Sequence, residues 1–310
     1  MIKLIKNEMI KMFARKSTWV MIAFVIVLTS FSSIVMYKMS PEKPENSRVF
    51  YEQQIESSKQ ALETPFLPDY QKDELKKSIK INEYILENNL PMEPSLWEQV
   101  QDNSSLIVLI AIFISSAAAT IVASEFSQGT IKLLLIRPLS RSKVLLSKYL
   151  AVMSLGLIMI VVLFIVSVVV SGLLFGFDGA AKPYLYIGSE GNVVEVDMVY
   201  KTMESYGLKS VAILMYPTLA FMLAVVFRTN ALAQGLTIVS IILGPQVANA
   251  LTDYSWTKYL LFAHTDPSLT LSGNPFGVSF AFSILILGIY FVLMNSISWY
   301  TFRKRDIMGQ

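Results

Sequence analysis

Few side chains in this sequence could do covalent or acid–base chemistry. The single histidine, His264, stands in His264-Thr265-Asp266-Pro267, without the constellation a catalytic or metal-binding histidine needs, and is expected to belong to an ordinary loop. There are no cysteines, which excludes disulfides, thiolate metal sites and cysteine nucleophiles. No Gly-Lys pair occurs, so the chain lacks the loop whose backbone amides and lysine cradle nucleotide phosphates, and no cofactor is expected on it.

The informative stretch is Ser124-Glu125-Phe126-Ser127-Gln128-Gly129-Thr130-Ile131-Lys132-Leu133-Leu134-Leu135-Ile136-Arg137-Pro138-Leu139-Ser140-Arg141-Ser142-Lys143. Glu125 ends an apolar run, Gly129 permits a sharp change of backbone direction, and Thr130 can cap a short helix carrying Ile131, Leu134 and Leu135. Pro138 stops that helix, and Ser140 or Ser142 can cap the next. The expected product is a short, partly apolar helix parallel to a membrane. Its exposed Leu and Ile want a protein partner or lipid. The bland reading is that Glu125 and the basic residues mark a membrane helix end and Gly129 a turn.

The elements that position this stretch are set by a bilayer. The 310 residues are 54% hydrophobic and 16% charged, with a mean hydropathy of +0.52, far from a soluble domain. Six stretches, 18–37, 105–124, 150–175, 211–227, 231–251 and 277–300, suffice to cross a hydrocarbon core, and none contains Asp, Glu, Lys, Arg or His. The fold expected is an all-α integral membrane protein. No small-residue cleavage site follows the first stretch, so it reads as a retained helix.

The intervening segments complete the layout. Residues 1–17 read as a cytoplasmic amphipathic interfacial helix, with Ile2, Ile5, Met9 and Met12 on one face and cations over much of the rest. Residues 38–104 form an external segment carrying 13 Asp/Glu against 8 Lys/Arg. In it Tyr51, Ile55, Ser58 and Leu62, then Leu75, Ile79, Asn82 and Leu86, recur at helical spacing around a Pro-containing break, which predicts an external helical hairpin. A cytoplasmic loop at 125–149, an external loop at 176–210, an external or re-entrant segment at 252–276 and a cytoplasmic tail at 301–310 follow. Leu243-Gly244-Pro245-Gln246 suits a broken helix near the outer surface, and an ordinary loop with aromatic anchors fits equally. Ser115, Ser116, Thr120, Asn295, Ser296 and Ser298 could line a path or bond neighbouring helices. With both termini cytoplasmic, the inner flanks carry 14 Lys/Arg and the short outer loops 4, the bias that orients bacterial membrane proteins. The modest net charge of +3 gives no support to nucleic-acid binding.

Glu125-x-x-x-Gly129-Thr130 with Arg137-Pro138-Leu139-Ser140-Arg141 resembles the loop after the second span of ABC-2-type ABC transporter permeases. Trp299-Tyr300-Thr301-Phe302-Arg303-Lys304-Arg305-Asp306-Ile307 resembles the tail of permeases in bacterial antimicrobial-peptide and drug export systems. The likeness extends to the layout of the whole chain. It implies the membrane-spanning subunit of an exporter in a bacterial plasma membrane, not an enzyme by itself. It also implies a coupling helix shaped by Glu125, Gly129 and Thr130, with Ile131, Leu134, Arg137 and Arg141 available to an ATP-binding-cassette ATPase subunit. ATP and Mg would be held on that partner, and a second permease, identical or homologous, would complete the pathway. An ion-coupled transporter would ordinarily carry an ionisable residue within a span, and an intramembrane protease a histidine there. Neither is present. An ion-coupled carrier that binds its ion through backbone and hydroxyl ligands stays open, as does a receptor or scaffold using the external hairpin.

Overall fold

In the computed structural model of the protein, residues 1–40, 44–64, 69–91, 94–127, 140–177, 182–188, 191–270 and 276–304 are described. It is an all-α integral membrane protein. Among the described residues, six helical stretches are long and apolar enough to cross a membrane: Lys16–Met39, Leu96–Ser124, Ser142–Phe175, Met198–Phe227, Asn230–Ala250 and Phe280–Lys304.

The helices run in chain order as α1 (Ile2–Phe13), α2 (Lys16–Met39), α3 (Pro44–Leu62), α4 (Asp69–Glu87), α5 (Leu96–Asn103), α6 (Ile107–Ser127) and α7 (Arg141–Phe175). A two-stranded hairpin, β1 (Tyr184–Ile187) and β2 (Val193–Val196), precedes α8 (Met198–Lys209), α9 (Val211–Phe227), α10 (Asn230–Ala250) and α11 (Phe280–Lys304). Between α10 and α11 lie short 3₁₀ turns at Thr257–Tyr259, Leu261–Ala263 and Pro267–Thr270.

Helix α7 illustrates why hydropathy finds these helices but not their faces. Leu157, Val161, Ile165, Val169 and Leu173 recur every fourth residue and are exposed, while Ala151, Val152, Leu155, Met159 and Leu163 are buried. Both faces are equally apolar, because lipid is as good a solvent for Leu as a protein core. With no hydrophobic gain between helices, association depends on close packing and polar contacts. Helices α6 and α9 meet this requirement with small residues: Ala111, Ala118 and Ala119 on one, Ala212, Ala220 and Ala224 on the other, all buried. On α7, a Cβ at Gly156 would lie 2.7 Å from Ile213 Cγ2 of α9. Glycine is what leaves room there for the Ile213 side chain.

The chain divides into two compact units. Unit 1 comprises Met1–Val27, Ser105–Leu163 and Tyr206–Gln310. Polar side chains link its helices: Gln234 Nε2 of α10 donates to Thr120 Oγ1 of α6 at 3.1 Å, and the Tyr149 and Thr218 hydroxyls of α7 and α9 lie 2.8 Å apart, while the buried Ser115 Oγ of α6 has no hydrogen-bond partner among the described residues. Thr120 thus serves helix packing. Asn295 and Ser298 bond back to carbonyls of their own helix, those of Phe291 and Met294.

Helix α10 is continuous through Gly244 and Pro245, where the sequence suggested a break. The glycine has another use: a Cβ there would lie 2.6 Å from the Phe262 ring. It is a seat for that ring, and the proline forgoes one backbone hydrogen bond without ending the helix.

Unit 2 comprises Leu28–Ser104 and Phe164–Ser205. Helices α3 and α4 form the hairpin that the 4-3-4 spacing predicts. Ile55 and Ile85 are buried in it, Asn82 Nδ2 donates to Gln54 Oε1 at 3.2 Å, and Lys59 pairs with Glu83 at 3.0 Å. The β-hairpin, with Tyr184 opposite Val196 and Ile187 opposite Val193, packs on α4. There Tyr84 donates its hydroxyl proton to Glu195 at 3.2 Å and Lys80 Nζ donates to the Gly191 carbonyl at 2.6 Å. Gly191 has φ +78°, open to glycine at no steric cost. The aromatic and β-branched runs Tyr184-Leu185-Tyr186-Ile187 and Val193-Val194-Glu195-Val196, separated by glycines, are strand signals within what the sequence reading took as an external loop.

Candidate functional site

Helix α6 ends at Ser127 and α7 begins at Arg141, so the candidate coupling segment joins two membrane-length helices of unit 1. Glu125 lies in the last turn of α6 and Arg141 opens α7. Gly129, Thr130, Ile131, Leu134 and Arg137 lie outside the described residues. On the α7 side, the Ser140 carbonyl accepts from the amides of Lys143 at 2.9 Å and Val144 at 3.3 Å, so the helix is wound from its first turn. At 35 residues α7 is about 52 Å long, far more than a hydrocarbon core of roughly 30 Å requires. It starts nine residues before the apolar stretch at 150–175, and these first turns carry Lys148.

Lys148 is where the site acquires a partner the sequence did not disclose. Its Nζ donates to Glu8 Oε2 of α1 at 2.8 Å, and the two side chains are only 4% and 7% exposed. Lys11 donates to the other oxygen, Oε1, at 2.7 Å. Burial alone would push the Glu8 carboxyl up. The Lys148 and Lys11 ammonium groups, through charge and hydrogen bonds, more than offset this and hold it below its usual value. A carboxylate bonded on both oxygens by two cations is ionised and fixed in orientation.

The corner between α1 and α2 is tied as well. Thr18 Oγ1 donates to the Met12 carbonyl at 2.6 Å and Trp19 Nε1 to the Phe13 carbonyl at 2.9 Å, so side chains of α2 bond carbonyls at the end of α1. Helix α1 is therefore held at its middle by α7 and at its end by α2. Its buried face is centred on Glu8 and Met12, whereas Ile2 is 83% exposed. The signal for Glu8 is present in the sequence: it is the sole acidic residue before Glu42, set among cations and one helical turn from Met12 and Ile5.

His264 is fully buried, and its two ring nitrogens lie 2.8 Å from Ser283 Oγ of α11 and 2.8 Å from the Lys258 carbonyl. Both nitrogens are used, so this histidine is a fastener between the 3₁₀ segment and α11. Burial pushes its pKa down, opposed only in part by the Lys258 carbonyl. Beside it, Tyr216 donates to Thr265 Oγ1 at 3.1 Å and Tyr290 to the Tyr259 carbonyl at 3.1 Å. The 3₁₀ segment is thereby laced to α9 and α11.

Comparison with known proteins places these features in a family without assigning them a role. The chain is 36% identical to the uncharacterized protein YhcI of Bacillus subtilis (strain 168) over 315 aligned positions, 99% of each chain. It is 29% identical to the uncharacterized membrane protein YdbK of the same organism, over 66% of this chain and 80% of that one. The six membrane-length helices and this relative agree on a multi-pass membrane protein. Residues 71–308 match the family described as a protein of unknown function (DUF2705), and the chain belongs to that family.

Proposed function

We propose that this chain is the permease subunit of an ATP-binding-cassette exporter in a bacterial plasma membrane. A separate ATPase subunit, carrying ATP and Mg, would drive it by pressing on the segment from Glu125 to Arg141. Both termini face the cytoplasm, a second permease completes the pathway, and the cargo is an amphipathic peptide, drug or lipid.

The observation that supports this reading is the buried Glu8–Lys148 pair at the base of α7. A push on the segment preceding α7 reaches that helix within its first two turns, where the ion pair transmits it to α1 and the Thr18 and Trp19 bonds pass it to α2. Three elements would then move as one lever. A loop serving only to connect two spans needs no such clamp.

The test is co-purification from a bacterial membrane at native expression, followed by ATP-dependent transport in vesicles. An associated ATPase, with transport that persists when ion gradients are collapsed and stops when ATP is depleted, supports the reading. Transport that stops when the gradients collapse, with ATP intact, would replace it with an ion-coupled carrier.

A further inference from the structure

Unit 2 carries a half-open cavity of about 470 Å³, within the size range of small-molecule sites. Phe50, Ile85, Leu185 and Met198 supply apolar wall, and Met36 and Met39 of the last turns of α2 extend it. Since α2 is a membrane-length helix ending at Met39, this wall begins where the chain leaves the bilayer.

The polar side of the cavity is built by α5. Ser95 Oγ accepts from the Glu98 amide at 3.1 Å, which starts the helix and sets Glu98 and Gln101 on one face. Lys182 Nζ, itself buried, donates to the Tyr51 hydroxyl at 2.9 Å and lies 3.5 Å from Glu98 Oε1. Burial would lower the Lys182 pKa, but Glu98 and Tyr51 raise it further, so this cation stays charged. Gln101 Nε2 donates to Ser205 Oγ at 2.7 Å. Two buried acceptors are left with no donor, Glu98 Oε2 and Gln101 Oε1.

A buried acceptor without a donor is destabilising, and both are of the same kind. The missing ligand group must therefore donate. The charged lining residues include Glu98 and Lys182, and Lys182 meets Glu98 at Oε1, which leaves Oε2 of that carboxylate for a further cationic donor. We propose that this cavity binds a cationic amphiphile: an ammonium or guanidinium head donating to Glu98 Oε2 and Gln101 Oε1, with its alkyl or aryl body along the apolar wall. The inference stands on the cavity alone, whether or not an ATPase drives the chain.

The experiment uses the full chain in phosphatidylcholine nanodiscs, titrated with octylammonium, octyl sulfate and octanol and corrected for empty discs. Saturable octylammonium binding, about tenfold tighter than either comparator, is the expected result. Glu98→Gln should weaken it about tenfold. Gln101→Leu leaves every charge in place, removes a buried orphan together with the Ser205 hydrogen bond, has its folding checked by thermal unfolding, and should weaken binding about threefold. Leu185→Trp, which fills the cavity, should abolish saturation. Weaker octylammonium binding in discs containing phosphatidylethanolamine would support the same site with a bilayer headgroup as occupant. Equal binding of octyl sulfate or octanol, or wild-type affinity in Gln101→Leu and Leu185→Trp together, would overturn the proposal.

Discussion

Glu8 and Lys148, 140 residues apart, meet in a buried ion pair at 2.8 Å that fastens α1 to the first turns of α7. The value of such a pair is read from what its loss leaves behind. Glu8→Ala strands a buried ammonium and is expected to cost about 3–5 kcal/mol, while Glu8→Gln with Lys148→Met should recover a large part of it. Thermal unfolding in detergent measures both. Equal stability of the single and double variants would remove the clamp from the account.

The same carboxylate predicts an acid-labile contribution to stability. Its folded pKa lies below the reference value of 4.5, so the contribution is complete above that value and is lost as pH falls through the folded pKa. The unfolding midpoint of the native chain should therefore fall more steeply below about pH 4.5 than that of Glu8→Gln.

His264 acts in a different window. Its folded pKa is depressed from 6.5, so the unfolded chain takes up the proton first as pH falls. Stability from the neutral, doubly bonded ring is full above about pH 6.5 and declines below it. His264→Gln should flatten the stability profile between about pH 6.5 and 5, at the expense of lower stability at neutral pH. A profile unchanged in that range would show that the ring is already solvated.

The seat of the Ile213 side chain against α7 is tested at Gly156. Gly156→Ala drives a methyl into Ile213 Cγ2 and is expected to cost about 1–3 kcal/mol. Ile213→Ala in the same chain makes room, so the double variant should be more stable than the sum of the two single effects. Simple additivity in unfolding measurements would contradict the contact.

Orientation and coupling can be tested together because the chain has no cysteine. With the proposed topology, Asn88→Cys should react with an impermeant maleimide in intact cells and Ser140→Cys only after permeabilisation. Gly129→Pro should insert normally yet lower stimulated ATPase and transport several-fold. Unchanged activity in that variant would sink the coupling role of the segment.

The sequence by itself determined that this is a helical membrane protein. Runs such as Val211–Phe227 leave a bilayer no other solution, since every backbone group must be satisfied within its own helix. The α3–α4 hairpin was legible for a related reason: its apolar positions repeat at helical spacing against a polar background. Tertiary structure decided what periodicity cannot carry. Which face of α7 meets lipid is invisible when both faces are apolar, and Gly244 looked like a break until the Phe262 ring occupied its missing side chain. Glu8 meets Lys148, and Glu98 meets Lys182, only once distant segments are brought together, because an ion pair is a property of geometry that no local pattern records.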